Sequence, residues 1–256
     1  MGFKKSDIAG RISSWISDLS RRRYERIIEA ANITVKNSEK EKNLDLKLFY
    51  TGPMQVNTYI CADEESKEAF IVDPGGQSKH LDSFIQQKGY KIKYIVLTHG
   101  HGDHICGVPH YKELTGAPIV AHKADQYLFG DARENLSSQF VGYPIVFSPD
   151  IEVNDGDVLT VGNMELKILH TPGHTPGGIS ILVDNVLFSG DTLFADSIGR
   201  TDFNGGSFAT LKNSIETKLY VLDDDTFVLP GHMGQTHIGH EKEYNMFVGK
   251  NARYTC

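Results

Sequence analysis

The chain has 256 residues, 39% of them hydrophobic and 23% charged, and a formal net charge of −7, the balance of a globular protein long enough for one large core. The acidic balance, with no sustained basic face, excludes nucleic acid as the main partner. No apolar run approaches the ~20 residues that span a bilayer, and the N-terminus has no apolar secretory core. The three cysteines, Cys61, Cys106 and Cys256, are far apart and odd in number, which predicts reduced thiols in a cytoplasmic protein. None has C-x-x-C spacing, so a metal here must be held by histidine and carboxylate.

In chain order, residues 1–44 stand apart. Ile8, Ile12, Trp15, Ile16, Leu19 and Ile27 fall close to helical spacing and predict an N-terminal helical extension. Its triplet Arg21-Arg22-Arg23 is diluted by Asp7, Asp18 and Glu25, so the expected role is a helix docked with its arginines in water, not a membrane-surface anchor or a transit peptide. From residue 45 to 256 one catalytic domain is expected. Short apolar or β-branched runs recur at 46–50, 58–61, 69–72, 94–97, 119–121, 158–161, 166–169, 179–183, 186–188 and 226–229. Helical stretches lie between some of them. One is 78–88, with Ser78 as N-cap and Gly89 just past the end; another is 207–222. Many strands with interspersed helices predict an α/β fold with mixed sheets.

Five of the strands run into turns that carry histidine or aspartate. They end at Asp73, at Thr98-His99-Gly100-His101-Gly102-Asp103-His104, at His170-Thr171-Pro172-Gly173-His174, at Ser189-Gly190-Asp191 and at Pro230-Gly231-His232. Sites in α/β folds gather on loops beyond the carboxyl ends of strands, so the five can converge on one cleft. His99 and His101 are two residues apart and point the same way in an extended segment. Asp103 and His104 follow where the chain turns and can face an adjacent position. Imidazole suits zinc or iron, and carboxylate can bridge two cations.

The other histidines have blander readings. His80, His110 and His122 fall on or beside helices, as surface or capping residues. His170 is a minority candidate for supporting a ligand, and His237 and His240 are expected at the surface. Cys106, two residues after His104, is expected to pack rather than react. Arg200 can hold a substrate carboxylate or pair with Asp202 or Asp196.

These elements, in this order, resemble the metallo-β-lactamase superfamily over about residues 45–250. The resemblance implies a four-layer αβ/βα sandwich with the site at one edge. It implies a first metal site of His99, His101 and His174, a second of Asp103, His104 and His232, and Asp191 as the bridging carboxylate. Asp73, with Asp103 and Asp191, completes the implied set of catalytic aspartates, acting by orienting a ligand histidine. The motifs Gly52-Pro53, Asn57-Thr58-Tyr59, Val72-Asp73-Pro74-Gly75-Gly76, Ser189–Phe194 and Gly199-Arg200-Thr201-Asp202-Phe203 resemble those of the glyoxalase II-like (hydroxyacylglutathione hydrolase) group. The chain ends soon after His232, where larger members carry a helical glutathione-binding region, so the short bacterial type is the better match. Met233 stands where that type usually has glycine.

The implied activity is hydrolysis of a small-molecule thioester by a metal-bound hydroxide, with two zinc ions, or iron or a zinc/iron mixture, as cofactor. A homo-oligomer is compatible with the sequence. The alternative on the same fold is a persulfide dioxygenase with one iron on His99, His174 and Asp191. Pro230-Gly231-His232 and Gly239-His240-Glu241 favour the hydrolase. Other hydrolases on this frame and a non-enzymatic binding module are weaker alternatives, the last because seven potential ligands would go unused.

Overall fold

The structure is a computed structural model that describes residues 44–253 and, before them, a two-residue strand, β1 (Asn32–Ile33). The predicted helices at 8–27 lie outside the described residues. The chain divides into two units between residues 35 and 36, and the fold described below is that of the second.

Two mixed sheets carry it. In the first, β2 (Leu44–Thr51), β3 (Val56–Asp63), β4 (Glu68–Val72), β5 (Lys91–Val96), β6 (Ile119–His122) and β7 (Ile151–Val153) lie side by side in chain order. The β2-β3-β4 hairpins are antiparallel, and β4 to β7 are parallel. In the second, β8 (Val158–Val161), β9 (Met164–His170), β10 (Ile179–Val183) and β11 (Val186–Gly190) form an antiparallel meander. It is extended by β14 (Phe227–Pro230), parallel to β11, and by β15 (Thr236–His237). A small hairpin, β12 (Leu193–Phe194) and β13 (Ser197–Ile198), follows β11.

Side-chain alternation sorts each strand between two faces. From β3 and β4, Ile60, Ala62, Ala69 and Ile71 face outward. They pack under α1 (Lys79–Lys88) through Leu81 and Ile85, and under α3 (Val108–Thr115) through Val108 and Tyr111. Their neighbours Tyr59 and Phe70 turn inward, where both rings meet Phe188 of β11 edge-on at 5.4 and 5.7 Å. Cys61 meets Met164 of β9 on the same inner face. On the far side of the second sheet, Leu187 and Val228 pack under α6 (Phe208–Ser214) and α7 (Ile238–Tyr244) through Leu211 and Ile238. Helix, sheet, sheet, helix is thus the layer order, the expected four-layer sandwich. Each such fully buried Ile, Leu or Phe contributes about 1.5–3 kcal/mol relative to exposure.

The predicted helix at 78–88 forms, with Ser78 Oγ accepting from Leu81 N and Gly89 closing it in the left-handed region at φ 66°. The stretch 207–222 is one helix only as far as Ser214. It widens into a π turn over Ile215–Leu219, which keeps Leu211, Ile215 and Leu219 all buried against the sheet. No helix among the described residues is long and apolar enough to cross a membrane.

Candidate metal centre

All five ligand-bearing strand ends open at the same edge of the sandwich. The first sheet supplies Asp73 after β4 and the His99–His104 segment after β5. The second supplies His174 after β9, Asp191 after β11 and His232 after β14. His101 is extended (φ −71°, ψ 147°) and immediately precedes α2 (Gly102–Ile105), so the chain turns between His101 and Asp103. That turn separates the four polar side chains of the segment into two pairs, each completed by one histidine from the other sheet.

The first group is His99, His101 and His174, and the second is Asp103, His104 and His232; within each, one ligand atom per residue lies within 4.8 Å of the others. His101 Nδ1 is 2.9 Å from His174 Nε2, and His104 Nε2 is 3.3 Å from His232 Nε2. Asp191 reaches both groups: Oδ1 is 3.4 Å from His104 Nε2, and Oδ2 is 3.6 Å from His174 Nε2 and 3.8 Å from His232 Nε2. Gly231 lets the His232 loop close on this carboxylate, because a Cβ there would collide with Asp191 Oδ1 and His104 Cε1.

Hydrogen bonds behind the rings fix which nitrogen faces inward. His174 Nδ1 donates to the Arg200 carbonyl at 2.6 Å, and His104 Nδ1 donates to Asp73 Oδ2 at 2.9 Å. His99 Nδ1 contacts Thr98 Oγ1 at 3.1 Å, whose hydroxyl donates in turn to Asp73 Oδ2, while Asp73 Oδ1 accepts from Thr98 N. The inward nitrogens of neutral His99 and His174 are therefore bare lone pairs, and the inward Nε2 of His104 faces carboxylates and needs a proton or a metal cation against it. His99 Nε2 and Asp191 Oδ1 are buried without a hydrogen-bond partner. Lone pairs of nitrogen and carboxylate oxygen converging at 2.9–3.8 Å repel unless a cation lies among them, so the residues fit one or two metal ions. Asp73 holds this arrangement from a left-handed conformation, φ 48°, which aspartate adopts more readily than most residues.

The electrostatics agree. Burial, reinforced by the neighbouring imidazoles, drives His99 well below its ordinary range and His101 down to about 3, so both are neutral. Burial also lowers His174 against the pull of Asp191. At His104 burial is outweighed by Asp191, Asp103 and Asp73, which lift it to about 10: three carboxylates around one fully buried ring call for positive charge. Burial raises Asp103, but His104 and His232 overcome it and hold that carboxyl low.

The remaining expectations find their places. Arg200 Nε and an Nη bond both oxygens of Asp202 at 2.9 and 2.8 Å, and the guanidinium lies 4.3 Å above the Phe203 ring. Phe203 itself packs on His101 at 4.9 Å. Cys106 is buried in the core, and burial with Asp103 nearby pushes its thiol up to about 12, leaving no thiolate. His122 caps its turn by accepting from Ala124 N; His110 pairs with Asp82, and His80 is exposed. His170 bonds the Pro176 carbonyl and stacks on His122, touching no member of the cluster. His237 packs on Phe227, and His240 pairs with Asp196.

Two supporting residues escaped the sequence. Asn57 Nδ2 donates to the carbonyls of Pro230 and Met233, its backbone N donates to Gly231 O, and Tyr59 Oη donates to Pro230 O. A strand of the first sheet therefore grips the His232 loop of the second. Asp125 makes a comparable connection on the other side.

The family model for the metallo-beta-lactamase superfamily matches residues 51–232. Among curated proteins, the hydroxyacylglutathione hydrolase GloC of Haemophilus influenzae is 37% identical over 82% of this chain and all of its own. The mitochondrial persulfide dioxygenase ETHE1 of Mus musculus is 30% identical over 68% of this chain and 63% of its own. Among solved structures, the B3 metallo-beta-lactamase BLEG-1 superposes with a TM-score of 0.74 at 37% identity, covering 79% of this chain and 99% of that one. TTHA1623, in a di-iron-bound form, gives 0.69 at 31%, covering 78% and 98%. The chain belongs to the metallo-beta-lactamase superfamily.

Proposed function

We propose that this member of the superfamily is a dinuclear-metal hydrolase that cleaves a thioester, in the manner of the short glyoxalase II-like enzymes. The observation that carries the reading is the pair of complete ligand groups, His99, His101, His174 and Asp103, His104, His232, with the two oxygens of Asp191 directed one to each. Two divalent cations held there supply an activated water at neutral pH and polarise the substrate carbonyl. The side chains do the rest. Asp191 spans both groups and fixes their separation. Asp73 orients His104 directly and His99 through Thr98. Phe203 covers His101 and keeps water from that side.

The carboxylates of the cluster are all engaged with histidine, and Cys106 is a buried neutral thiol, so neither a side-chain nucleophile nor a strong proton donor stands ready. A thioester suits such a site: its leaving thiolate, of parent pKa near ~8.5, departs without a strong acid. The similarity to GloC supports the same substrate class. The buried thiols Cys61 and Cys106 support a cytoplasmic setting. The Arg200–Asp202 pair is exposed and screened by solvent, so a substrate carboxylate can displace Asp202; Arg200→Ala then raises KM several-fold with metal content unchanged.

The second reading, a mononuclear-iron persulfide dioxygenase on His99, His174 and Asp191, draws on the similarity to ETHE1. It leaves the second group without a task. Elemental analysis of protein purified without added metal, followed by a thioester panel and an oxygen-uptake assay with a persulfide, separates the two. Two ions per chain with thioester cleavage is the expected result; one iron per chain with oxygen consumption overturns it.

A further inference from the structure

Asp125 lies outside the five ligand-bearing strand ends, yet it is fully buried. It closes a 3-10 turn (Lys123–Asp125) that follows β6 of the first sheet. Its Oδ2 accepts from Gly100 N at 2.9 Å and from Thr175 Oγ1 at 2.8 Å, and its Oδ1 accepts from Gly177 N at 2.6 Å. All three donors sit on the two loops that make the first ligand group. Gly100 lies between His99 and His101, while Thr175 and Gly177 directly follow His174. Gly177 approaches so closely that a Cβ would stand 2.6 Å from the Asp125 carboxylate and its own backbone N. The second group is held by other residues, His104 by Asp73 and the His232 loop by Asn57 and Tyr59.

We infer that Asp125 is a positioning residue that fixes the His99–His101 loop against the His174 loop, and thereby sets metal affinity at the first half of the centre and not at the second. The inference rests on the two-metal reading above. A buried carboxylate with no cation against it is costly, and here its hydrogen-bonding capacity is spent on joining those two loops across the sandwich. Its chemistry is specific to aspartate. Backbone N–H groups approach both oxygens, so the amide nitrogen introduced by Asp125→Asn would meet a donor whichever way it turned. Asp125 touches neither ligand nor substrate, so its effect runs through loop spacing alone.

The test loads the full chain with cobalt(II) and titrates it with a chelator, following release of each ion by native mass spectrometry and the visible cobalt spectrum. Asp125→Asn should weaken the tighter-held first ion about 10- to 100-fold, the range for residues that orient metal ligands, change the cobalt absorption and leave the second ion's affinity unaltered. Thr175→Val removes one donor and keeps side-chain shape; it should shift the first ion in the same direction by a smaller factor, and it decides the matter if Asp125→Asn does not fold. Adding His232→Ala isolates the first ion, and the Asp125 effect should persist there. Wild-type affinity for both ions in both variants overturns the inference, as does equal weakening of both. Failure of the wild type to bind two ions instead overturns the two-metal reading, an outcome the titration shows before any variant is compared.

Discussion

The two halves of the centre are built alike and sealed differently. Each takes two side chains from the His99–His104 segment and one histidine from the second sheet. In the first half His99, His101 and His174 are buried to 4% exposure or less, and Phe203 packs over them. In the second, His104 is fully buried, but the His232 side chain is 25% exposed. The difference lies in what closes each half. His174 is held at its ring by the Arg200 carbonyl and at its loop by Asp125, whereas the His232 ring meets Asp103 of its own group and the edge of Phe194, and its loop is held by Asn57 and Tyr59. The first half is therefore the more enclosed and the second the more open, and on the two-metal reading the second is the half from which an ion should leave first.

The largest expected effect erases the distinction. Asp191 faces both groups, so Asp191→Ala should strip metal from each and lower thioesterase activity on the order of 10³-fold, about 4 kcal/mol of barrier; elemental analysis and kcat/KM check it. Asn57→Ala sharpens the distinction. It releases the His232 loop alone, so the second ion should weaken about 10- to 100-fold while the first holds. Equal loss of both ions in a competition titration would show that the halves are not independent.

A smaller effect lies beside the first half, where His122 stacks on His170 at 4.0 Å. Burial, with His170 adding to it, lowers His122 from 6.5 to about 4. The folded state binds this proton more weakly than the unfolded state does. Its contribution is thus fully present above about pH 6.5 and is lost as pH falls toward 4. His122→Asn, which keeps a capping acceptor, should unfold with a shallower pH dependence across that window in chemical denaturation. An unchanged slope would place the acid sensitivity elsewhere.

What was legible in the sequence follows the range of the interactions involved. The ten apolar runs became strands, some by alternation, as in β9, and others, as in β3, β6 and β11, as short continuous apolar runs buried on both faces. The ligand residues were legible because each sits at a strand's end, beside a turn-forming glycine or proline. β7, three residues long, and the β12-β13 hairpin are too short to show a period, and α7 spans only seven residues. The π turn at Ile215 reflects packing against the second sheet, which no local pattern encodes. Asp125 and Asn57 were invisible in their roles for a different reason. Their partners lie 25 to 52 residues away for Asp125 and 173 to 176 for Asn57, and nothing near either residue marks it as a clamp. Arg200 was open among a substrate carboxylate, Asp202 and Asp196, and the fold pairs it with Asp202, two residues on.

On the proposed reading, one edge of this sandwich holds two metal ions in separable halves. Counting zinc per chain in the wild type, in His101→Ala and in His232→Ala, each purified and equilibrated in the same zinc buffer, tests it most directly. Two ions are expected in the wild type, one retained in His232→Ala, and at most one weakly held ion in His101→Ala. One ion in the wild type, or two still bound in His232→Ala, would contradict it.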